Sequence, residues 1–176
     1  MYSGVFYQRY ILGEWRMSDG VIYDMFDQTE NIYRPSDRPV DMVWSSTRTI
    51  AVDYGTTNPM RFLDIYDDEE KIRIDREYSW DSRKEYKQKT DKEYADDFMK
   101  FMGKEWCNVI VDPSAASFIA ELRSRGVYVI PADNDVIDGI RKTASLIQRR
   151  IVQVCSECEN LINEMGTYMW DDKAAL

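Results

Sequence analysis

This chain contains no histidine in its 176 residues. That excludes a Ser-His-Asp triad, a Cys-His pair and any zinc site built on imidazole. Cysteine is scarce, with only three. Cys107, Cys155 and Cys158 are too few and too unevenly spaced for a disulfide framework, so a reducing compartment is expected. Cys155-x-x-Cys158 has no second ligand pair and reads as two ordinary, partly buried thiols. No apolar run approaches the roughly 20 residues of a membrane span, and the first residues lack the basic, apolar and small-residue regions of a signal peptide. A soluble, non-secreted protein is expected. Positive charge is also in short supply, with 23 Lys and Arg against 32 Asp and Glu and a net charge of -9. Nucleic acid or an anionic membrane would be repelled on average, so such a partner must meet a local basic patch or bound cations.

What is present is enough apolar material, 44% of the chain, for one domain of roughly 100 to 150 residues with an additional segment. Residues 1 to 48 stand apart. They carry Tyr2, Phe6, Tyr7, Tyr10, Trp15, Tyr23 and Phe26 without a clean period, a turn signal at Ser18-Asp19-Gly20, and a polar stretch from Asp27 to Trp44 broken by Pro35 and Pro39. The reading is a short helix or turn, a small strand and an extended linker, its aromatic surface packing on this domain or on a neighbour.

From Thr49 the pattern becomes regular. Strands are expected at Thr49 to Tyr54 and Met60 to Tyr66. After the acidic turn Asp67 to Glu70 comes a third, which places Ile72, Ile74 and Arg76 on one face and Arg73, Asp75 and Glu77 on the other. Thr90-x-x-Glu93 is a capping box for a helix over 91 to 102 that Gly103 stops. Cys107 to Val111 is apolar enough for a central parallel strand covered on both faces. Ser114 can cap a helix through Ala115, Phe118, Ile119 and Leu122, ended by Gly126, and Val127 to Ile130 is the next strand. Asp135 caps a helix with Val136, Ile137, Ile140, Ala144 and Ile147 on its buried side. Ile151 to Val154 is a short strand or extension, and Ser156-x-x-Glu159 a capping box for a last helix to Gly166. Three antiparallel strands followed by helices alternating with parallel strands describe an α/β fold with an RNase H-like mixed sheet.

Two strands end in an acid at a turn: Ile50-Ala51-Val52 in Asp53, and Val109-Ile110-Val111 in Asp112 followed by Pro113-Ser114. In an RNase H-like sheet these strands are neighbours, and the two carboxylates converge. Their repulsion is removed by a divalent cation, and hard oxygen ligands without His or thiolate favour Mg²⁺ or Mn²⁺. Two such ions would polarise a phosphodiester, generate hydroxide and stabilise the leaving oxygen. The competing reading makes each Asp a turn or helix cap, a common role before Pro-Ser.

Gly13-Glu14-Trp15, Asp19-Gly20-Val21-Ile22-Tyr23-Asp24-Met25-Phe26, Val52-Asp53-Tyr54-Gly55-Thr56-Thr57-Asn58-Pro59, Val111-Asp112-Pro113-Ser114-Ala115 and Asn134-Asp135-Val136-Ile137-Asp138-Gly139-Ile140 together resemble the C-terminal nuclease half of the large terminase subunit of tailed bacteriophages. The resemblance implies a metal-dependent endonuclease that cuts concatemeric double-stranded DNA during genome packaging. Asp53 and Asp112 match the family's first- and fourth-strand acids. Its remaining metal-binding acid lies in a closing segment that this chain does not reach, and Asp171 and Asp172 are expected to precede it. Residues 1 to 48 would then be the end of an ATPase half and the interdomain linker, with residues 49 to 176 the nuclease domain. No G-x-x-x-x-G-K-[ST] loop occurs, so no ATP site is expected in this chain. Implied partners are the ATPase half, the portal protein, the small terminase subunit and DNA, in the bacterial host cytoplasm and transiently at the procapsid portal vertex. Arg83, Lys84, Lys87 and Lys89, with Tyr86 among them, and Lys142 beyond Gly139 are candidate phosphate contacts, although such basic runs are also ordinary solvated faces. Two other readings stand beside the nuclease: a catalytically incomplete module that docks portal or small subunit, and another RNase H-like enzyme such as a transposase or resolvase.

Overall fold

The computed structural model describes residues 20–55 and 58–169. The early aromatics through Trp15, Gly13-Glu14-Trp15, Thr56, Thr57, Asp171 and Asp172 lie outside the described residues.

A seven-stranded sheet organises the chain, in the order β1-β7-β4-β3-β2-β5-β6. Its strands are β1 (Ile32–Tyr33), β2 (Thr47–Asp53), β3 (Met60–Asp67), β4 (Ile72–Trp80), β5 (Asn108–Val111), β6 (Val129–Pro131) and β7 (Val152–Cys155). β2, β3 and β4 form the expected antiparallel meander, and β5, β6, β7 and β1 join by parallel pairing. The helices are α1 (Gln28–Asn31), α2 (Met42–Ser45), α3 (Asp91–Met102), α4 (Ala116–Ser124), α5 (Val136–Gln148) and α6 (Glu159–Met165). None of them is long and apolar enough to cross a membrane.

Alternation in β2 and β3 sends Ile50, Val52, Met60 and Phe62 to one face, where they pack with Phe98 of α3 and Phe118 and Leu122 of α4. Phe62, Phe98 and Phe118 are fully buried, each burial worth about 1.5–3 kcal/mol. The opposite face is a second core of Ile74, Val152, Val154, Ile147, Cys158 and Met165. The expected box at Thr90 and Glu93 is formed from both sides, and Gly103 ends α3 at φ 69°.

The third strand of the meander departs from simple alternation. Ile74 pairs with Ile65 and Arg76 with Asp64, leaving Asp75 as the extra residue of a bulge. The side-chain period therefore slips by one. Ile74 belongs to the second core, while Arg76 turns to the first face, where it donates to Asp64 and to the Phe101 carbonyl.

Other expectations are corrected. The stretch from Asp27 to Trp44 is not an extended linker throughout: it carries α1, β1, a 3₁₀ turn and α2, and fully buried Asn31 donates to the Val152 carbonyl at 2.9 Å. Ser114 does not cap α4, because its N–H donates to the Asp112 carboxylate and Ala115 stands at the N-cap without a side-chain bond. Nor does Ser156 cap α6, which starts from Cys158 after a turn closed on Cys155. Asp135 does cap α5, but that helix meets the core mainly through its last turns at Leu146 and Ile147, and Val136 and Ile137 remain 63% and 46% exposed. β5 is covered fully on one face, at Val109 and Val111, and partly on the other, at Asn108 and Ile110.

Candidate metal centre

The parallel ladder between β2 and β5 runs from Thr49 opposite Asn108 to Val52 opposite Val111. The next residues, Asp53 and Asp112, therefore leave adjacent strands side by side. Val52 and Val111 point into the first core, so alternation sends both acids to the opposite face. Behind Asp53 the chain is pinned: the Tyr54 hydroxyl donates to Asp91 at 2.6 Å, and its ring stacks on Phe118 with centroids 5.5 Å apart. The turn then folds back so tightly that a Cβ on Gly55 would meet the Asn58 carbonyl oxygen at 2.1 Å. Only glycine fits there without displacing backbone.

The two acids sit in unlike surroundings. Burial pushes the Asp53 carboxyl above its ordinary range; the positive charge of Arg61 opposes this and the negative charge of Asp112 adds to it. Although more than a third of the Asp53 residue surface is open to solvent, protein crowds its carboxylate. Among the described residues no donor hydrogen-bonds to it. Asp112 is held below the ordinary range by hydrogen bonds from Ser114, whose N–H reaches Oδ1 at 2.7 Å, with a further bond from Asn134. Asp112 is thus fixed as an anion, whereas Asp53, with no such donor among the described residues, suits the approach of a cation.

Two residues that the sequence reading did not single out complete this corner. Arg61 is the residue directly opposite Asp53 on β3, and its Nη2 donates to Glu164 Oε1 of α6 at 2.6 Å. Burial raises the Glu164 carboxyl, offset by Arg61 and reinforced by Asp53. A cavity of about 200 Å³ is lined by Asp53, Arg61 and Glu164 with Ala51, Leu63 and Leu161. The available signal was an acid sharing the helical face of Leu161 and Met165. Among the described residues no group of three acids or thiols is close enough to hold a metal. The donor set at the strand ends is two carboxylates, which fits a hard divalent cation.

The candidate phosphate contacts divide. The loop after β4 leaves the sheet at the same end as Asp53, because Trp80 pairs with Met60 and Arg61 with Asp53. On it Arg83 is exposed, Lys84 lies 3.9 Å from Asp81, and Lys87 lies 3.1 Å from Glu93. Lys89 points inward instead: its ammonium is 2.5 Å from Asp97 and 3.5 Å from the Trp80 ring centroid. Lys142 is on α5, paired to Asp138 at 2.6 Å. Cys155 and Cys158 are buried free thiols, and burial raises Cys158 well above the usual thiol range.

No protein-family model matches this chain, and no curated protein matches it. Solved structures do. The large terminase of a thermophilic bacteriophage, solved in complex with ADP, is 46% identical over 99% of this chain, with a TM-score of 0.80. This chain spans 43% of that protein's length. The nuclease domain of the P22 large terminase matches 90% of the chain at 15% identity, covering 84% of its own length, with a TM-score of 0.69. The large terminase nuclease of another thermophilic phage, G20c, solved with bound magnesium, covers 88% of this chain and 83% of its own length at 13% identity and a TM-score of 0.62. A cobalt-bound form of the same nuclease also matches. The chain is thus similar to the ADP-bound large terminase over part of that protein's length, and its sheet has the fold of the phage large-terminase nuclease domains.

Proposed function

We propose that this chain is the nuclease part of a phage large terminase and hydrolyses phosphodiester bonds of concatemeric double-stranded DNA during genome packaging. The observation that carries the reading is the register of β2 and β5, which brings Asp53 and Asp112 out together at one sheet end. It is supported by the likeness to the G20c nuclease, itself solved with magnesium and with cobalt. Asp53 and Asp112 would hold Mg²⁺ or Mn²⁺, two ions in the complete site. Bound there, such ions acidify water and stabilise a leaving oxygen. Asn134 and Ser114 orient Asp112, and Gly55 and Tyr54 fix the backbone that carries Asp53. Arg83, Lys84 and Lys87 present positive charge at the same sheet end for the phosphate backbone, contacts that position DNA without reading its sequence. Lys142 is a further phosphate contact once it leaves Asp138, whereas Lys89 serves the loop from inside.

In this reading residues 1–48 close an ATPase half and lead into the nuclease domain of residues 49–176, with the leading segment docked through β1 onto the sheet edge. The remaining partners are the portal protein and the small terminase subunit, met in the host cytoplasm and at the portal vertex. Cleavage of supercoiled plasmid with Mn²⁺ or Mg²⁺ tests the assignment, comparing the parent, Asp53→Asn, Asp112→Asn and a chain extended beyond Leu176. Loss of cutting in both Asn variants is expected in whichever form of the chain cuts. Undiminished cutting by Asp53→Asn would place the chemistry elsewhere, and portal binding by a chain that cuts in no form would favour the docking module.

A further inference from the structure

The corner beside Asp53 already contains a cation, and it belongs to the protein. Arg61 faces Asp53 across the β2–β3 ladder, a position where opposed Cβ atoms stand about 5 Å apart. Its side chain is only 14% exposed. One guanidinium nitrogen holds Glu164 at 2.6 Å, while the other, Nη1, is buried with no hydrogen-bond partner among the described residues. Such a guanidinium is held by its charge more than by a complete set of acceptors, since an arginine fork normally satisfies its donors when buried. Glu164 comes from α6, Asp53 from β2 and Asp112 from the end of β5, so three elements converge on this corner. Yet no three acids among the described residues form a metal-holding group.

A guanidinium and a divalent cation cannot share these oxygens. They repel each other, and arginine has no lone pair to offer a metal. We propose that Arg61 is a resident counter-ion that latches Glu164 away from the metal centre, and that its release lets Glu164 join Asp53 and Asp112 as a third oxygen ligand. The latch rests on the acid pair being the cation site. It gives α6 a part in metal loading that neither acid-bearing strand can supply.

Mn²⁺ binding to the full chain, followed by calorimetry and by loss of the free-ion EPR signal, tests this without any cleavage readout. Arg61→Gln should bind Mn²⁺ about tenfold more tightly than the parent, the scale of removing one nearby like charge at reduced dielectric. Glu164→Gln alone should bind no more tightly than the parent, because it frees no acid and leaves the Arg61 charge in place. In the double variant the gain should largely disappear. Arg61→Lys, which retains the charge with less disturbance of packing, should stay near the parent. Circular dichroism establishes that each variant is folded. Folded Arg61→Gln with unchanged or weaker binding overturns the latch, as does a gain that survives in the double variant. Asp53→Asn separates the two levels: binding as in the parent would place the cation site elsewhere and remove the basis of both proposals. Loss in Asp53→Asn together with no gain in Arg61→Gln would reject the latch alone.

Discussion

Arg48 grips Asp64 with a two-pronged contact, Nε to Oδ1 at 2.8 Å and Nη2 to Oδ2 at 3.0 Å, and the carboxylate is fully buried. Arg76 donates to the same Oδ2 from the neighbouring strand, so one buried acid accepts from two guanidinium groups, Arg48 buried and Arg76 partly exposed. Asp64→Asn should cost about 3–5 kcal/mol, because it strands buried positive charge. Replacing Arg48 and Asp64 together, by Met and Leu, should recover part of that loss. Urea unfolding at constant m-value checks both.

Asn31 ties the leading segment to the far side of the sheet. Besides its bond to Val152, its side-chain oxygen accepts from Arg150 at 2.9 Å and from the Asp27 amide at 2.9 Å. Asn31→Ala should cost about 2–3 kcal/mol through the donors and acceptors left unpaired. Loss of amide-exchange protection in β1 and β7 should accompany it, measured by hydrogen exchange.

The crowding at Asp53 predicts a trade between stability and function. A carboxyl raised above its unfolded value binds its proton more tightly when folded, so its ionisation costs folding stability above the folded value and costs nothing below the unfolded one. Without metal, Asp53→Asn should therefore melt higher than the parent near neutral pH. The difference should close as pH falls through the raised value towards the ordinary carboxylate range. Thermal melts across the acid range in EDTA check this, and a lower melting temperature for the variant at neutral pH would contradict it.

The α3 cap gives the opposite sign. Glu93 is depressed to about 2 by the backbone amide of Thr90, by Lys87 and by the Thr90 hydroxyl. Its contribution is complete above the unfolded value and is lost as pH falls through about 2. The stability gap between the parent and Glu93→Gln should therefore persist well into acid. Thr90→Ala, which removes the other half of the box, should cost about 1 kcal/mol by the same denaturation assay.

Gly55→Ala should damage the site from behind. The methyl group has backbone within contact on the Asn58–Pro59 side, so β3 must shift relative to Asp53. Weaker Mn²⁺ binding in a chain that keeps its far-ultraviolet dichroism is expected.

The meander and the place of Asp53 and Asp112 at strand ends were legible in the sequence because each rests on local pattern, an apolar run, an acid, then a turn, while the expectation of β5 beside β2 came from the fold class that the order of elements describes. Arg61 and Glu164 were not, since one depends on the exact register of β3 against β2 and the other on where α6 lands. Register is long-range information, decided by packing and by the turn at Gly55. The helix caps failed for a related reason. Ser114 and Ser156 have the right spacing, but the Ser114 amide is used by Asp112 and a turn at Cys155 to Cys158 delays α6. The face of Arg76 was misassigned because a bulge carries no sequence signature as strong as alternation.

That bulge has a consequence for how the gene can vary. Asp75 receives the Tyr33 hydroxyl at 2.7 Å and Arg38 Nε at 2.7 Å, so the extra residue is anchored by the leading segment and works as a reading-frame shift for side chains. Deleting Asp75 would close the bulge with Arg76, Tyr78 and Trp80 still on their present face but without the anchor to Tyr33 and Arg38, whereas losing Glu77 or adding one residue between Arg76 and Tyr78 would exchange inside for outside over Tyr78 and Trp80. Length changes should therefore be tolerated in the tip between Asp68 and Lys71 but purged from the middle of β4, a bias visible in any library of single-codon insertions and deletions selected for folding.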